Sequence, residues 1–389
     1  MFKERLFTPG PTQLLPQAQI AMAQPILHHR TEEFRGIFKE VLEGLRYLYN
    51  TENDVLLFTS SGSGAMEGAV VNLLNRGDKA IVVSAGKFGE RWVQLCKTFG
   101  VNAEVISIPY GQSVEPQQVA ALLEKYPETR AVFVQFTESS TGARHDVKAL
   151  GQIIHQHPKT ALVVDAITGL GVMEMPVDQW HLDVVIGGSQ KALMIPPGLA
   201  FASVSPKAWN LIETTNSSKF YFDFQKERKN NAKGESSYTP AITLVVALRE
   251  ALRYIRQLGR ENLIQNAALL ARSTRAAARA LGLKLFAEGS PSDALTALCA
   301  PAGIDSETLI KEFKKNFGAV VANGQGEMKG KIFRIAHLGY YDFTDTVAVI
   351  ACLEIILKKL GLPVELGSGV KAAQEEYLKA TETRRHGED

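Results

Sequence analysis

The chain has 389 residues, 45% of them hydrophobic and 22% charged, with a formal net charge of +2. That length exceeds one simple core and predicts about two domains, while the near-neutral balance gives no basis for nucleic acid or an anionic membrane as partner. No stretch reaches the ~18 uninterrupted apolar residues of a spanning helix, and the opening MFKERLFTPGPT lacks the apolar run of a secretory signal.

Between residues 55 and 205 short apolar runs alternate with helical patterns. The runs are VLLF (55–58), AIVV (80–83), AEVISI (103–108), AVFVQF (131–136), ALVVDA (161–166), DVVIGG (183–188) and LAFASV (199–204). Segments such as AMEGAVVNLLNR and DVKALGQIIHQH fall between them. Runs apolar on both faces, alternating with helices, predict a mostly parallel sheet covered on both sides, an α/β architecture. Ligands of such sheets sit at the carboxyl ends of the strands. From about Thr239 two long amphipathic helical patterns follow, then short runs and a last helix, which reads as a smaller α+β domain. The expected division is an N-terminal arm (1–20), a large domain (21–255), a small C-terminal domain (256–363) and a loosely held charged tail (364–389).

Four features fall at strand exits. FTSSGSGAMEGAV (58–70) leads from a strand through a small-residue loop into a helix, where backbone N–H groups can meet a phosphate. Its glycines do not match the dinucleotide spacing, which disfavours a dehydrogenase. In AGKFGERW (85–92), Phe88 stands between glycines, either lying flat on a ligand ring or anchoring the loop. ALVVDAITGLG (161–171) delivers Asp165 to a strand end, where burial costs several kcal/mol without a partner; a turn aspartate is the plain alternative. GSQKALMIPPG (188–198) places a lone Lys191 where a buried strand empties into a loop. Desolvation there lowers an ammonium's pKa and makes the amine a nucleophile. Together the four supply what pyridoxal phosphate requires: an amine for the Schiff base, a carboxylate for the ring nitrogen, a phosphate cup and a flat partner.

The motifs TPGPT, HHRTEEF, SSGSGAMEGAV, GKFGERW, ESSTG, VVDAITGLG, GSQKALMIPPGLAF and FRIAHLG, spread from about Phe7 to Leu360, resemble those of the class V aminotransferases of fold type I, nearest the alanine–glyoxylate and serine–pyruvate (serine–glyoxylate) enzymes. The resemblance implies a fold type I pyridoxal phosphate transferase: a large, mostly parallel sheet domain and a smaller C-terminal one. Lys191 would form the Schiff base and Asp165 would pair with the pyridinium nitrogen. Phe88 would stack on the ring, Ile167 would pack beneath it and Ser139 would contact it. Gly62, Ser63 and Gln190 would hold the phosphate, and Arg334 the substrate carboxylate. A homodimer is also implied, Tyr238 and Thr239 of SSYTPAI completing the neighbour's phosphate site. The chain has TPAI where many relatives have TPPV, and FRIAHLG where many have FRIGHLG; the second change bears on the size of the substrate.

The expected activity is transamination between a small amino acid, serine or alanine, and a small 2-oxo acid, glyoxylate or pyruvate. Lys87 and Arg91 are read as surface charges flanking the Phe88 turn, which leaves Arg334 alone for carboxylates and disfavours aspartate as donor. An aspartate aminotransferase is the near alternative. A cysteine desulfurase needs a mobile nucleophilic cysteine, whereas Cys299 and Cys352 lie in apolar contexts. A non-catalytic partner subunit would have lost Lys191 or Asp165. The three cysteines, Cys96, Cys299 and Cys352, are widely spaced without C-x-x-C, as expected for reduced thiols of a cytoplasmic protein. They also argue against an iron–sulfur or nickel site built by this chain alone, so the soluble-hydrogenase label carried by some relatives finds no support in them. No metal site is expected.

Overall fold

The computed structural model describes residues 3–385; residues 1, 2 and 386–389, which belong to the expected arm and tail, lie outside the described residues. The arm contributes a two-residue strand, β1 (Arg5–Leu6), and a helix, α1 (Pro16–Met22), before α2 (Glu32–Tyr49). Then come β2 (Asp54–Phe58), α3 (Gly62–Leu73), β3 (Lys79–Ser84), α4 (Lys87–Thr98), β4 (Asn102–Ser107), α5 (Pro116–Lys125) and β5 (Ala131–Gln135). A hairpin of β6 (Thr137–Glu138) and β7 (Ala143–Arg144) precedes α6 (Val147–His155), β8 (Ala161–Asp165), β9 (Val184–Gly188), β10 (Ala200–Val204), α7 (Pro206–Glu213), α8 (Phe224–Asn231) and α9 (Ile242–Leu258). The last part holds α10 (Arg260–Ala280), β11 (Leu295–Cys299), α11 (Ser306–Phe317), β12 (Ala319–Val320), β13 (Ala322–Asn323), β14 (Ile332–Ala336), α12 (Phe343–Lys359) and α13 (Ser368–Arg385).

Every apolar run read between 55 and 205 becomes a strand of one seven-stranded sheet, ordered β2-β10-β9-β8-β5-β3-β4. Its neighbours are parallel except β10, which runs antiparallel to both β2 and β9. The near-continuous apolarity follows from burial on both faces. Along β8, Leu162 and Val164 pack into the cluster that includes Phe38 and Ile154, whereas Ala161 and Val163 pack with Met66 and Trp92. Helix α2 presents Phe34, Phe38, Val41, Leu45 and Leu48 to the first of these clusters at helical spacing. Its N-terminus is capped by Thr31, whose hydroxyl accepts from Phe34 N–H at 3.3 Å.

The chain turns at Gly259, whose φ of 87° separates α9 from α10. Beyond it a three-stranded antiparallel sheet, ordered β11-β14-β13, carries Arg334 on its central strand. The arm reaches this part as well: β1 pairs in parallel with β12, and Ala336 N–H donates to the Phe7 carbonyl at 3.0 Å.

The tail differs from its expectation. Residues Ser368–Arg385 form α13, and Ala373 is buried in a cluster with Ala277 of α10 and Ile350 of α12. The anchor is Glu354, a buried carboxylate of α12 that accepts from the N–H groups of Gly367 (2.7 Å), Gly369 (2.8 Å) and Val370 (3.0 Å). An anion at a helix N-terminus satisfies both the open donors and the dipole. Composition alone does not disclose a partner drawn from another helix.

Candidate active site

Lys191 follows β9 and is only 9% exposed. Its Nζ donates a short hydrogen bond to the Pro9 carbonyl, and its own carbonyl accepts from Thr12 Oγ1 at 2.9 Å. The TPGPT motif is therefore a cover over the lysine, a role sequence reasoning left unassigned. A Cβ built on Gly10 would fall 2.5 Å from Nζ, and Gly10 has φ of 135°, so a side chain there would be strained and would push the lysine away. Burial pulls the Lys191 ammonium down to about 8, against the attraction of Asp165 and with help from Arg334.

Asp165 ends β8, the parallel neighbour of β9, and is 5% exposed. One of its oxygens accepts from Ile167 N–H at 3.0 Å. Burial pushes the carboxyl up to about 6; the Ile167 bond opposes this, Glu138 adds to it, and Arg91 and Lys191 pull it back. Its register partner on β5 is Gln135, a buried residue with neither amide atom hydrogen-bonded. Tyr49 brings another unpartnered polar atom, a hydroxyl against which a Cβ on Gly187 would fall 2.3 Å away. Burial, and then the Asp165 charge, hold that phenol well above its usual range.

Helix α3 starts at Gly62 with no side-chain cap, so its first N–H groups are open to an anion. A Cβ on Gly62 would fall 2.3 Å from Ile167 Cδ1, so only glycine lets the loop close onto Ile167. Gln190 brings a buried carbonyl oxygen without a partner, 3.3 Å from where a Cβ on Gly188 would stand. Phe88 lies in the first turn of α4. Arg91 corrects the sequence reading: it is half-buried, its Nη1 donates to Ser63 Oγ at 3.0 Å, and its guanidinium carbon sits 4.8 Å from the Phe88 ring centre. One turn of α4 brings residue 91 back beside residue 88, so it faces the loop. Lys87 does remain partly exposed, paired with Glu90.

Arg334 comes from the other side and is 5% exposed. Nη1 donates to the Ser139 carbonyl at 2.6 Å and Nε to the Asn323 carbonyl at 3.0 Å, and Nη2 also reaches Asn323. Three of its five donors are thus spent on backbone and two stay open. Ser139 is buried. Tyr238 and Thr239 make no hydrogen bond or ring contact with these residues. Tyr238 donates to the Phe220 carbonyl at 2.7 Å and stacks on Tyr221, and Thr239 is exposed. Cys299 and Cys352, expected in apolar contexts, are half-buried. Burial raises both thiols, the opposite of an activated nucleophile.

The class V aminotransferase family model matches residues 17–328. The "Soluble hydrogenase, small subunit" of Synechococcus sp. is 41% identical over 95% of this chain and 97% of its own. A serine–glyoxylate aminotransferase of Methylorubrum extorquens is 33% identical over 97% and 96%. The structure of an aspartate aminotransferase of subgroup IV from Thermus thermophilus superposes with a TM-score of 0.86 at 34% identity, covering 92% of this chain and 99% of that one. The chain belongs to the class V aminotransferases and has their fold type I architecture; the cofactor is pyridoxal phosphate. The residues fit that group. An uncapped helix start, the Ser63 hydroxyl and Arg91 suit a phosphate, and a buried carboxylate stands beside a buried amine of lowered pKa.

Proposed function

We propose that the chain transfers the amino group of a small neutral amino acid, serine or alanine, to a small 2-oxo acid, glyoxylate or pyruvate. The observation that carries this reading is the division of cations: Arg334 keeps two open donors, while Arg91 is engaged with Ser63 and Phe88 at the phosphate end. One free fork suits one carboxylate, and a second buried carboxylate without a partner is costly. The serine–glyoxylate relative supports the same choice.

When bound, pyridoxal phosphate supplies an aldehyde to carry the amino group and a ring that withdraws charge from the substrate's Cα. The remaining tasks fall to the chain. Lys191, with a pKa brought to about 8, presents far more neutral amine near neutral pH than an ordinary lysine and carries a proton on Nζ to and from the substrate. Asp165 would pair, as a carboxylate, with the cofactor's ring nitrogen and hold a proton there. Gly62, Ser63 and Gln190 hold the phosphate end, with Arg91 behind Ser63. Phe88 and Ile167 supply the apolar surfaces, and Arg334 fixes the substrate carboxylate. The Pro9–Thr12 cover limits the access of water.

A second reading has two kinds of support: the Thermus thermophilus neighbour and a 34% identical relative from Paracoccus denitrificans are named for aspartate, and Lys87 and Arg91 flank Phe88 in the sequence. Comparing kcat/KM for serine, alanine, aspartate and glutamate with glyoxylate, pyruvate and 2-oxoglutarate decides between them. Serine or alanine with glyoxylate or pyruvate is expected; a clear preference for aspartate with 2-oxoglutarate overturns the proposal.

The active form is proposed to be a homodimer in the cytoplasm. The Tyr238–Thr239 segment makes no hydrogen bond or ring contact with its own chain's Lys191, and Ile26 and Phe220 are 73% and 76% exposed. An active monomer in sedimentation at working concentration would exclude the dimer.

A further inference from the structure

Glu138 is fully buried, at 0% exposure, yet no direct role in the reaction falls to it. Its Oε2 accepts from Phe88 N–H at 3.1 Å and Gly89 N–H at 3.0 Å, and its Oε1 accepts from Ser140 N–H at 3.1 Å and Ser140 Oγ at 2.5 Å. Ser140 Oγ in turn accepts from Lys87 N–H at 3.1 Å. A Cβ on Gly86 would fall 2.5 Å from the Glu138 carboxyl carbon, so the turn entering α4 lies directly against the carboxylate. Immediately after Glu138, the Ser139 carbonyl holds Arg334 Nη1 at 2.6 Å.

We propose that Glu138 is a positioning residue that sets two sides of the site at once: the turn presenting Phe88 and the Ser139 carbonyl that orients Arg334. A carboxylate is the group this place requires. Both of its ends face donors, and only an ionised carboxyl has acceptors at both ends. A glutamine has one accepting end, so its amide NH2 would be turned on one set of N–H groups. Burying a carboxylate is costly, and burial does push its pKa up, while the hydrogen bonds from Ser140, Gly89 and Phe88 hold it down. A hydrophobic residue would fill the space without that cost but would leave three backbone N–H groups unpaired. The charge is also felt at Asp165 and Arg334, so its loss reaches both the cofactor side and the substrate side of the site.

This inference rests on the proposed role of Arg334 for its substrate half, and for its cofactor half only on pyridoxal phosphate. The test uses full-length Glu138→Gln. Pyridoxal phosphate is titrated into the cofactor-stripped chain by tryptophan fluorescence, and KM and kcat are measured for whichever donor the screen identifies. The expected result is a rise of about tenfold in the cofactor Kd and a several-fold rise in donor KM that exceeds the fall in kcat, with Tm within a few degrees. A change in only one of the two binding constants, or in neither, overturns the proposal. If no donor is found, the cofactor Kd alone decides, and an unchanged value overturns it. Should Glu138→Gln fail to fold, Ser140→Ala removes one of the four donors, and a Kd unchanged within twofold in that variant overturns the proposal.

Discussion

Asp165 and Lys191 leave adjacent parallel strands, so the sheet's own hydrogen bonding sets their separation. Arg334 and Pro9 arrive at the same place from β14 and the N-terminal arm, far away in sequence, and are held by backbone carbonyls and the β1–β12 pairing. The floor of the site is rich in groups without partners, Gln135, Gln190 and Tyr49 among them, and its charges shift one another's pKa. The outer wall is held by hydrogen bonds to backbone carbonyls, with two Arg334 donors left open for a substrate. A rigid sheet can hold unsatisfied, energetically costly groups ready for a ligand, whereas a wall assembled from separate segments must satisfy its own polar groups to stay in place.

Changes to the floor should therefore end the reaction, and changes to the wall should weaken binding. The largest effect is expected from Lys191→Ala, which removes both the attachment amine and the proton carrier. Half-reaction rates should fall by at least ~10³-fold, and borohydride reduction with peptide mapping should place the cofactor on Lys191 in the unaltered protein and on no other lysine.

Next comes Asp165→Asn, expected to lose several kcal/mol of stabilisation as a buried ion pair is broken, read as a kcat lower by roughly 10²-fold or more. The same substitution has an opposite signature without cofactor. The folded carboxyl titrates near 6, above its ordinary 3.8, so the folded chain binds the proton more tightly than the unfolded one. Its ionisation costs stability above pH 6 and costs nothing below pH 3.8. Cofactor-free Asp165→Asn should thus be more stable than the unaltered chain at pH 8, by on the order of 3 kcal/mol, and no more stable at pH 4; thermal melts at the two pH values check the sign.

On the wall, Arg334→Lys keeps the charge but loses the fork, and should raise donor KM by roughly tenfold with a smaller change in kcat. An equal fall in kcat and kcat/KM would instead place Arg334 in the chemical step. The smallest effect is expected from Thr12→Val, which removes the hydroxyl bonded to the Lys191 carbonyl and should cost about 1 kcal/mol in a urea melt, with KM unchanged.

The same contrast explains what was legible in the sequence. Asp165, Lys191 and the Gly62–Ser63 loop could be read because each sits in one apolar run and its exit loop, so local pattern and site coincide. Arg91 could not, because its facing depends on where α4 lies on the sheet. Glu138 stood in the quoted ESSTG motif, but its importance lies in donors from the Lys87–Gly89 turn, which only folding brings near. The Pro9 carbonyl is backbone and carries no side-chain signal. The tail was misread for a related reason: its composition is polar, and its anchor is a single carboxylate on α12.

That anchor bears on how the protein can be trimmed. Charged C-terminal ends are routinely removed to aid crystallisation or to attach a fusion partner. A chain ending at Leu362 would lose all three N–H donors to Glu354, leaving that carboxylate without them, and would uncover Ala277 and Ile350. Such a shortened protein is expected to express poorly or aggregate, and a fusion partner is better joined beyond Arg385 than in front of Ser368.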